Sequence, residues 1–273
     1  MISKLKNKVS HLFHPIQGEI WCLHRVVETR SNYPSNRELE VTPVFLEELI
    51  IRRKSEGYQF VSIDTLIQSR SLLPKKYINV SFDDGFRDII LNAFPIFKKH
   101  HIPFTIYLTT SFPQGNADIW WIQMEKNHSA DAFEELMKQI YNSPKPMAET
   151  MHKLTDTQPD PELCQALSLS WSEIKEMVDS GRCTVGSHSV SHPGLTRIGM
   201  EACRFELEAS KQIILDKTGY DAIHFSYPHS MDNETIREAV SKARYRTAVL
   251  GYGGSIRRGD DPYRLNRRFI VQK

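Results

Sequence analysis

The chain has 273 residues, of which 40% are hydrophobic and 25% charged, and these proportions exclude collagen-like, low-complexity and wholly disordered proteins. The formal net charge of +2 is too small for a protein that coats nucleic acid, so we expect no nucleic-acid partner. Length alone allows one large domain or two small ones.

Residues 1–15 precede the first predicted strand, and we interpret them as an N-terminal extension. Within residues 1–13, four apolar side chains share one helical face: Ile2, Leu5, Val9 and Leu12. This pattern is typical of a frayed terminal helix and is also compatible with shallow contact at a membrane surface.

Short apolar runs then alternate with helical patterns, which favours parallel βαβ units over a sandwich or a bundle. We predict strands at residues 20–23, 60–63, 78–82, 104–108, 183–186, 223–227 and 247–250. Thr42-Pro43 predicts a helix start and Gly57 its end, and Ser170 with Glu173 spells a capping box. Further helices are predicted at residues 86–100, 200–217 and 233–244.

Residues 112–169 do not fit this repeat, and we interpret them as an insertion. The segment is polar, helical only around residues 132–140, and interrupted by prolines: Pro113, Pro144, Pro146, Pro159 and Pro161. Such an insertion either forms a wall for the substrate or has no part in the site. Trp120 and Trp121 at its start are either core anchors or faces on which a sugar ring stacks.

The sequence also indicates a compartment. No stretch approaches the roughly 18 apolar residues of a membrane-spanning helix, and the first thirty residues lack the apolar run of a secretory signal. The four cysteines form no Cys-x-x-Cys pair, which favours reduced thiols: Cys22, Cys164, Cys183 and Cys203. We therefore expect a cytoplasmic protein, with the inner membrane face as an alternative location.

Polar residues follow four of the predicted strands, at the end where parallel barrels place their chemistry. These residues are His24, the pair Asp83-Asp84, His188 with His192, and His229. Two imidazoles four residues apart after a strand can reach one ion, and a carboxylate of the Asp-Asp pair would complete a three-residue zinc site. Cobalt, nickel or iron would also suit this mixed set of nitrogen and oxygen ligands.

The second carboxylate of the pair does not easily bind the same ion, because successive side chains leave an extended backbone in opposing directions. It is therefore available for a different role. A carboxylate beside a water on the ion is suited to remove that water's proton.

Three motifs resemble those of the NodB-homology polysaccharide deacetylases, carbohydrate esterase family 4. They are the segments from Val80 to Gly85, from His188 to His192, and from Phe225 to His229. The resemblance implies a deformed (β/α)7 barrel in which one domain spans residues 1–273. It also implies a metal-dependent hydrolase of a carbohydrate substrate, which hydrolyses the N-acetyl amide of amino sugars, or sometimes O-acetyl esters, and releases acetate.

By position in the motifs, the resemblance implies Asp83 as the general base and Asp84, His188 and His192 as the metal ligands. In the third motif it implies that Tyr227, Pro228 and His229 meet the substrate, with the His229 N–H helping to hold the oxyanion. The arginine that usually braces the base in this motif is replaced by Ser226.

The general-acid histidine usually lies near the end of the chain in this family, but no histidine follows His229 here. His24 resembles that motif as it occurs in the circularly permuted exopolysaccharide-deacetylase branch, so His24 is our prediction for the acid and His229 the alternative.

We interpret a basic group near the C-terminus as a solvated face, with contacts to an acidic substrate as the alternative: Arg257, Arg258, Arg264, Arg267 and Arg268.

Two alternatives to the deacetylase function are an amidase for a non-sugar amide and an inactive glycan-binding barrel.

Overall fold

The computed structural model describes residues 16–68, 76–257 and 259–273. The predicted extension at residues 1–15, with its amphipathic segment, and Arg258 lie outside this range. Among the described residues, no helix is both long and apolar enough to cross a membrane.

In the described part of the chain, seven parallel strands form a closed barrel, which confirms the predicted (β/α)7 fold. Strand β1 (Ile16–Leu23) closes the ring, because it pairs in parallel with β5 (Tyr77–Phe82) on one side and with β11 (Leu265–Phe269) on the other. The other four strands complete the ring in chain order: β6 (Phe104–Leu108), β7 (Cys183–Ser187), β8 (His224–Ser226) and β9 (Thr247–Gly253).

The seventh barrel strand, β11, was not predicted. Its polar residues Asn266, Arg267 and Arg268 obscure the alternation of buried Leu265 and Arg267 with more exposed neighbours. The strand predicted at residues 60–63 is only the two-residue β4 (Gln59–Phe60), which pairs with β5 outside the ring. Three further short strands lie outside the ring: β2 (Arg25–Val26), β3 (Glu40–Val41) and β10 (Ser255–Arg257).

Helix boundaries follow the capping residues. Thr42 accepts a hydrogen bond from the Phe45 N–H at the start of α2 (Pro43–Ser55), and the predicted Ser170–Glu173 capping box opens α9 (Trp171–Asp179). The other helices outside the insertion are α1 (Pro34–Glu38), α3 (Ile63–Gln68), α4 (Phe94–His100), α10 (Met200–Thr218) and α11 (Glu234–Lys242).

The helix predicted at residues 86–100 is not continuous. A π-helical turn spans Ile89–Ala93, and α4 follows with Pro95 in its first turn. Proline has no N–H to donate to the preceding turn, which explains why regular α-helical hydrogen bonding is interrupted there.

The insertion is more helical than predicted. Four helices lie within this fully described segment: α5 (Trp120–Asn127), α6 (Ala130–Asn142), α7 (Met147–Thr155) and α8 (Pro161–Leu167). Its prolines lie between helices or at their first positions, where they are tolerated, so they separate helices rather than prevent them. Buried residues of the insertion pack with Phe86, which follows β5, and hold this segment against the barrel.

Candidate metal centre and active site

Seven of the eight predicted site residues line one cavity of about 480 Å³ at the carboxyl ends of the barrel strands: His24, Asp83, Asp84, His188, His192, Tyr227 and His229. Pro228, which follows Tyr227, is buried. The ring explains this convergence, because side chains far apart in sequence follow strands that are neighbours in space.

Asp84, His188 and His192 are arranged as a set of metal ligands. Asp84 Oδ1 lies 3.6 Å from His188 Nε2 and 3.4 Å from His192 Nε2. His188 Nδ1 lies 2.8 Å from the Ser226 carbonyl oxygen. Because a carbonyl only accepts, Nδ1 carries the proton and the Nε2 lone pair faces Asp84.

These three residues fit a divalent cation. Asp84 Oδ1 is buried and has no hydrogen-bond partner in the described part of the chain. Burial raises the pKa of Asp84 well above its usual range, with Asp83 adding to the effect, and burial lowers the pKa of His188 and His192. A cation would supply the positive counter-charge that the buried Asp84 carboxylate lacks, and the neutral imidazoles would serve as its other ligands.

The turn that joins the two histidines is fixed by a glutamate that the sequence analysis did not single out. Glu206 on α10 is buried and accepts hydrogen bonds from the Val190 N–H at 2.7 Å and the Ser191 N–H at 2.9 Å. His192 itself has a left-handed backbone, with φ of 60°. Glu206 therefore stabilises the conformation that brings His192 back toward Asp84.

Asp83 is paired with a buried arginine. Arg267, which is 1% exposed, donates from its two terminal nitrogens to the two carboxylate oxygens, at 2.7 Å for Oδ1. The guanidinium also donates to the Leu250 carbonyl and to the Ser226 hydroxyl. Burial alone would raise the pKa of Asp83, but the charge and hydrogen bonds of Arg267 hold it well below its usual range, so Asp83 is ionised.

The interpretation of the C-terminal arginines as a solvated face is therefore wrong for Arg267. Two other arginines of this group form ion pairs with carboxylates: Arg264 lies 3.1 Å from Asp232, and Arg268 lies 2.9 Å from Glu19. Arg267 instead makes the contact to Asp83 that the resemblance assigns to an arginine at the position of Ser226. The signal that could have found it is alternation, since Leu265 and Arg267 occupy inward positions of one strand.

His24 lies beside Asp83, the predicted base. One ligand-type atom from each of Cys22, His24 and Asp83 falls within 4.8 Å of the other two, and His24 Nδ1 is buried with no hydrogen-bond partner among the described residues. Burial lowers the pKa of His24 to about 4, so its ring is neutral at neutral pH. This group does not resemble a second metal site, because Arg267 already neutralises Asp83 and would repel a cation.

His229 lies on the side of the metal ligands instead. Its ring centroid is 4.4 Å from that of His192, and Tyr141 Oη is 3.5 Å from its Nδ1. Burial lowers its pKa to about 3, and its backbone is left-handed with φ of 56°. The two candidate acids thus differ in place: His24 is beside Asp83, and His229 is beside His192.

Segments outside the barrel form the remaining walls of the cavity. Trp120, Trp121, Met137 and Tyr141 come from the insertion, and Asn36 comes from α1. Trp121 is both buried in the core of the insertion and in contact with the site, with its ring 5.5 Å from that of His192. Of the two interpretations offered for the insertion, the structure supports a wall of the cavity.

Comparison with known proteins gives consistent matches. The family described as polysaccharide deacetylase matches residues 71–248. YxkH of Bacillus subtilis (strain 168), a curated protein assigned by name to the polysaccharide deacetylases, is 22% identical over 193 residues. That match covers 71% of this chain and 51% of the relative, so the chain spans about half the length of the curated relative that it matches.

Two solved structures share the fold across almost the whole chain. The deacetylase PplD of Streptococcus pyogenes, in complex with acetate, is 21% identical with a TM-score of 0.70, and the match covers 94% of this chain and 93% of PplD. IcaB of Ammonifex degensii is 20% identical with a TM-score of 0.66, and the match covers 94% of this chain and 92% of IcaB.

Proposed function

The chain belongs to the polysaccharide deacetylase family, and from that premise we propose that it is a metal-dependent de-N-acetylase for an N-acetylated amino sugar in an oligo- or polysaccharide. The family is one of hydrolases that act on carbon–nitrogen bonds other than peptide bonds. The observation that carries the proposal is the Asp84, His188 and His192 cluster beside an ionised Asp83 in one cavity.

Asp84, His188 and His192 would hold the cation, and zinc, cobalt or nickel suits their nitrogen and oxygen atoms. A bound cation of this kind lowers the pKa of water and polarises a carbonyl group.

Asp83 takes the proton of the attacking water in this proposal, and Arg267 keeps its carboxylate ionised for that task. The water oxygen bonds to the acetamide carbon, and the carbon–nitrogen bond then breaks to give acetate and the amine. His24 gives the departing nitrogen its proton. Because His24 starts neutral, it first receives the proton that Asp83 removed, and its place beside Asp83 supports this transfer.

The backbone N–H of His229 helps to hold the oxyanion that forms before the bond breaks, with Tyr227 and Pro228 shaping this part of the site. We also propose that the barrel and the insertion at residues 112–169 act as one catalytic domain, because both contribute to the cavity that holds these groups.

The proposed function is tested by acetate release from N-acetylated oligosaccharides with zinc supplied. We expect the unmodified chain to release acetate and Asp84→Ala to release none, because removal of the carboxylate leaves two ligands for the ion. Elemental analysis is expected to give about one metal ion per chain for the unmodified protein and far less for Asp84→Ala. Asp179→Ala, at an exposed aspartate of α9 paired with Lys175, is the matched control. Equal metal content in all three proteins would contradict the ligand assignment.

Replacing His24 and His229 in turn identifies the acid. We expect His24→Ala to lose roughly 10²- to 10⁴-fold in turnover of the acetamide and His229→Ala to stay within about tenfold, because only His24 lies beside Asp83. The loss in His24→Ala is expected to shrink with 4-nitrophenyl acetate, whose leaving group departs without a proton. The opposite order of the two variants would make His229 the acid.

A further inference from the structure

Tyr141 is an aromatic residue of the insertion that reaches the reacting centre and is nevertheless open to solvent. Its hydroxyl oxygen lies 3.5 Å from Nδ1 of His229, and the two ring centroids are 5.9 Å apart. The ring of His229 in turn lies 4.4 Å from that of His192, one of the proposed metal ligands. Even so, 45% of Tyr141 is exposed, whereas Asp84 and His188 are buried. Tyr141 therefore lines the cavity toward its mouth.

The ring of Tyr141 is available to a ligand. It stands at 83° to the ring of His229, and the hydroxyl edge is the part that meets His229, so parallel stacking does not cover its face. No other aromatic ring packs against Tyr141 in the described part of the chain. Trp120 and Trp121, which the sequence offered as faces for a sugar ring, are only 3% and 6% exposed. Tyr141 is thus better placed than either tryptophan to stack on a sugar.

The position of Tyr141 is fixed by an arginine from another element. Arg197 Nη2 donates to the Tyr141 carbonyl oxygen at 2.6 Å, and its Nη1 donates to the Ile140 carbonyl oxygen at 3.2 Å. Tyr141 and Ile140 belong to the last turn of α6, where carbonyl groups lack partners within the helix. This turn contains no basic residue of its own, so Arg197 supplies the positive charge that stabilises a helix C-terminus.

Arg197 also connects α6 with the segment that carries a proposed metal ligand. It ends the short 3₁₀ helix Leu195–Arg197, which follows His192 in the chain. Tyr141 is therefore held at its backbone by Arg197 and contacted at its hydroxyl by His229. A ring that is already held in place loses little conformational freedom when a ligand binds to it.

We propose that Tyr141 is a substrate-binding residue on which a sugar ring stacks at the mouth of the cavity, and that Arg197 is a positioning residue that holds Tyr141 there. Met137, one turn earlier on α6, also lines the cavity and extends the apolar surface. An aromatic ring and a thioether offer apolar contact, which suits the C–H face of a sugar. The inference rests on the proposed function, since it concerns how the same cavity holds its carbohydrate substrate.

Tyr141→Ala and Tyr141→Phe test the stacking surface. With oligomers of N-acetylglucosamine as the substrate, we expect Tyr141→Ala to lower kcat/KM about tenfold, mainly through KM, because stacking holds the substrate before and during the reaction alike. Tyr141→Phe keeps the ring and is expected to stay within about twofold of the unmodified chain. Equal losses in the two variants would overturn the stacking role, because the hydroxyl would then be the group that matters.

Phe205→Ala is the matched control for Tyr141→Ala. Phe205 is an aromatic residue of α10 that is 62% exposed and does not line this cavity. We expect its replacement to change neither kcat nor KM. A loss in Phe205→Ala as large as that in Tyr141→Ala would contradict a specific role for Tyr141.

Arg197→Met tests the positioning role. We expect KM to rise about threefold to tenfold with kcat little changed, because Tyr141 is no longer held at the mouth of the cavity. In the Tyr141→Ala background, Arg197→Met is expected to add nothing to KM, since the ring that it positions is absent. A general loss of stability would act on KM in both backgrounds, so additive effects would overturn the positioning role. Arg204→Met, at an exposed arginine of α10, is the matched control.

The same assays separate the inference from the proposed function. If the unmodified chain releases acetate and Tyr141→Ala matches its KM on every oligomer, the stacking role is wrong and the proposed function stands. If the unmodified chain releases no acetate from any oligomer, the proposed function fails and the inference fails with it.

Discussion

Asp83→Asn is expected to lower the turnover of acetylated oligosaccharides by at least about 100-fold, because the amide cannot take a proton from water. Metal content should stay near that of the unmodified chain, since Asp84, His188 and His192 are untouched. Turnover is measured by acetate release and metal content by elemental analysis on the same sample. Turnover at the level of the unmodified chain would remove Asp83 from the role of base.

The same substitution carries a structural cost that must be separated from catalysis. Asp83→Asn leaves the Arg267 guanidinium buried without a counter-charge, and breaking one side of a buried pair costs about 3–5 kcal/mol of unfolding free energy. We expect Asp83→Asn with Arg267→Met to recover much of that free energy in denaturant unfolding, because no unpaired charge remains, while acetate release stays low. Recovered activity in the double variant would mean that Asp83 acts only through stability.

Arg267→Met alone is expected to abolish most activity and to lower the free energy of unfolding by about 3–5 kcal/mol. Without the guanidinium, burial raises the pKa of Asp83, so the carboxyl becomes protonated at pH values where it is now ionised. A base works only in its ionised form, so activity rises with pH through the pKa of Asp83. The acidic limb of the pH profile of kcat/KM should therefore shift to higher pH in this variant.

Arg268→Met is the matched control, because Arg268 is the next residue of β11 and its side chain is 44% exposed. Its pair with Glu19 lies partly in solvent and contributes about 1 kcal/mol or less. We expect its unfolding free energy and pH profile to stay close to those of the unmodified chain. An unshifted acidic limb in Arg267→Met would contradict the idea that Arg267 tunes Asp83, even if that variant lost stability.

Strand ends made most of the site predictable from sequence. His24, Asp83, Asp84, His188 and His229 each follow an apolar run, and in a parallel barrel such positions meet at one rim. Capping residues made the starts of two helices predictable, as Thr42 and the Ser170 capping box show. The capping residues can be recognised in the sequence because their hydrogen bonds lie within a single helix.

The missed features depend on contacts between distant residues. In the sequence, Arg267 is one of several basic residues near the C-terminus. Its contact with Asp83, 184 positions earlier, depends on the pairing of β11 with β1. Glu206 and Asn36 likewise act through partners in other elements. Of the helices in the insertion, α6 was predicted, but α5, α7 and α8 were missed for another reason. Closely spaced prolines suggested irregular chain, whereas they separate short helices.

The cavity is lined by residues from two parts of the fold, the ends of the barrel strands and the connections between them. Its reacting groups follow strands that are locked into a ring by β1, whereas α1, α5 and α6 supply the walls from connections that the ring does not constrain. For the proposed deacetylase, preference for one glycan over another can therefore change through substitutions in these connections, while the residues at the strand ends stay the same.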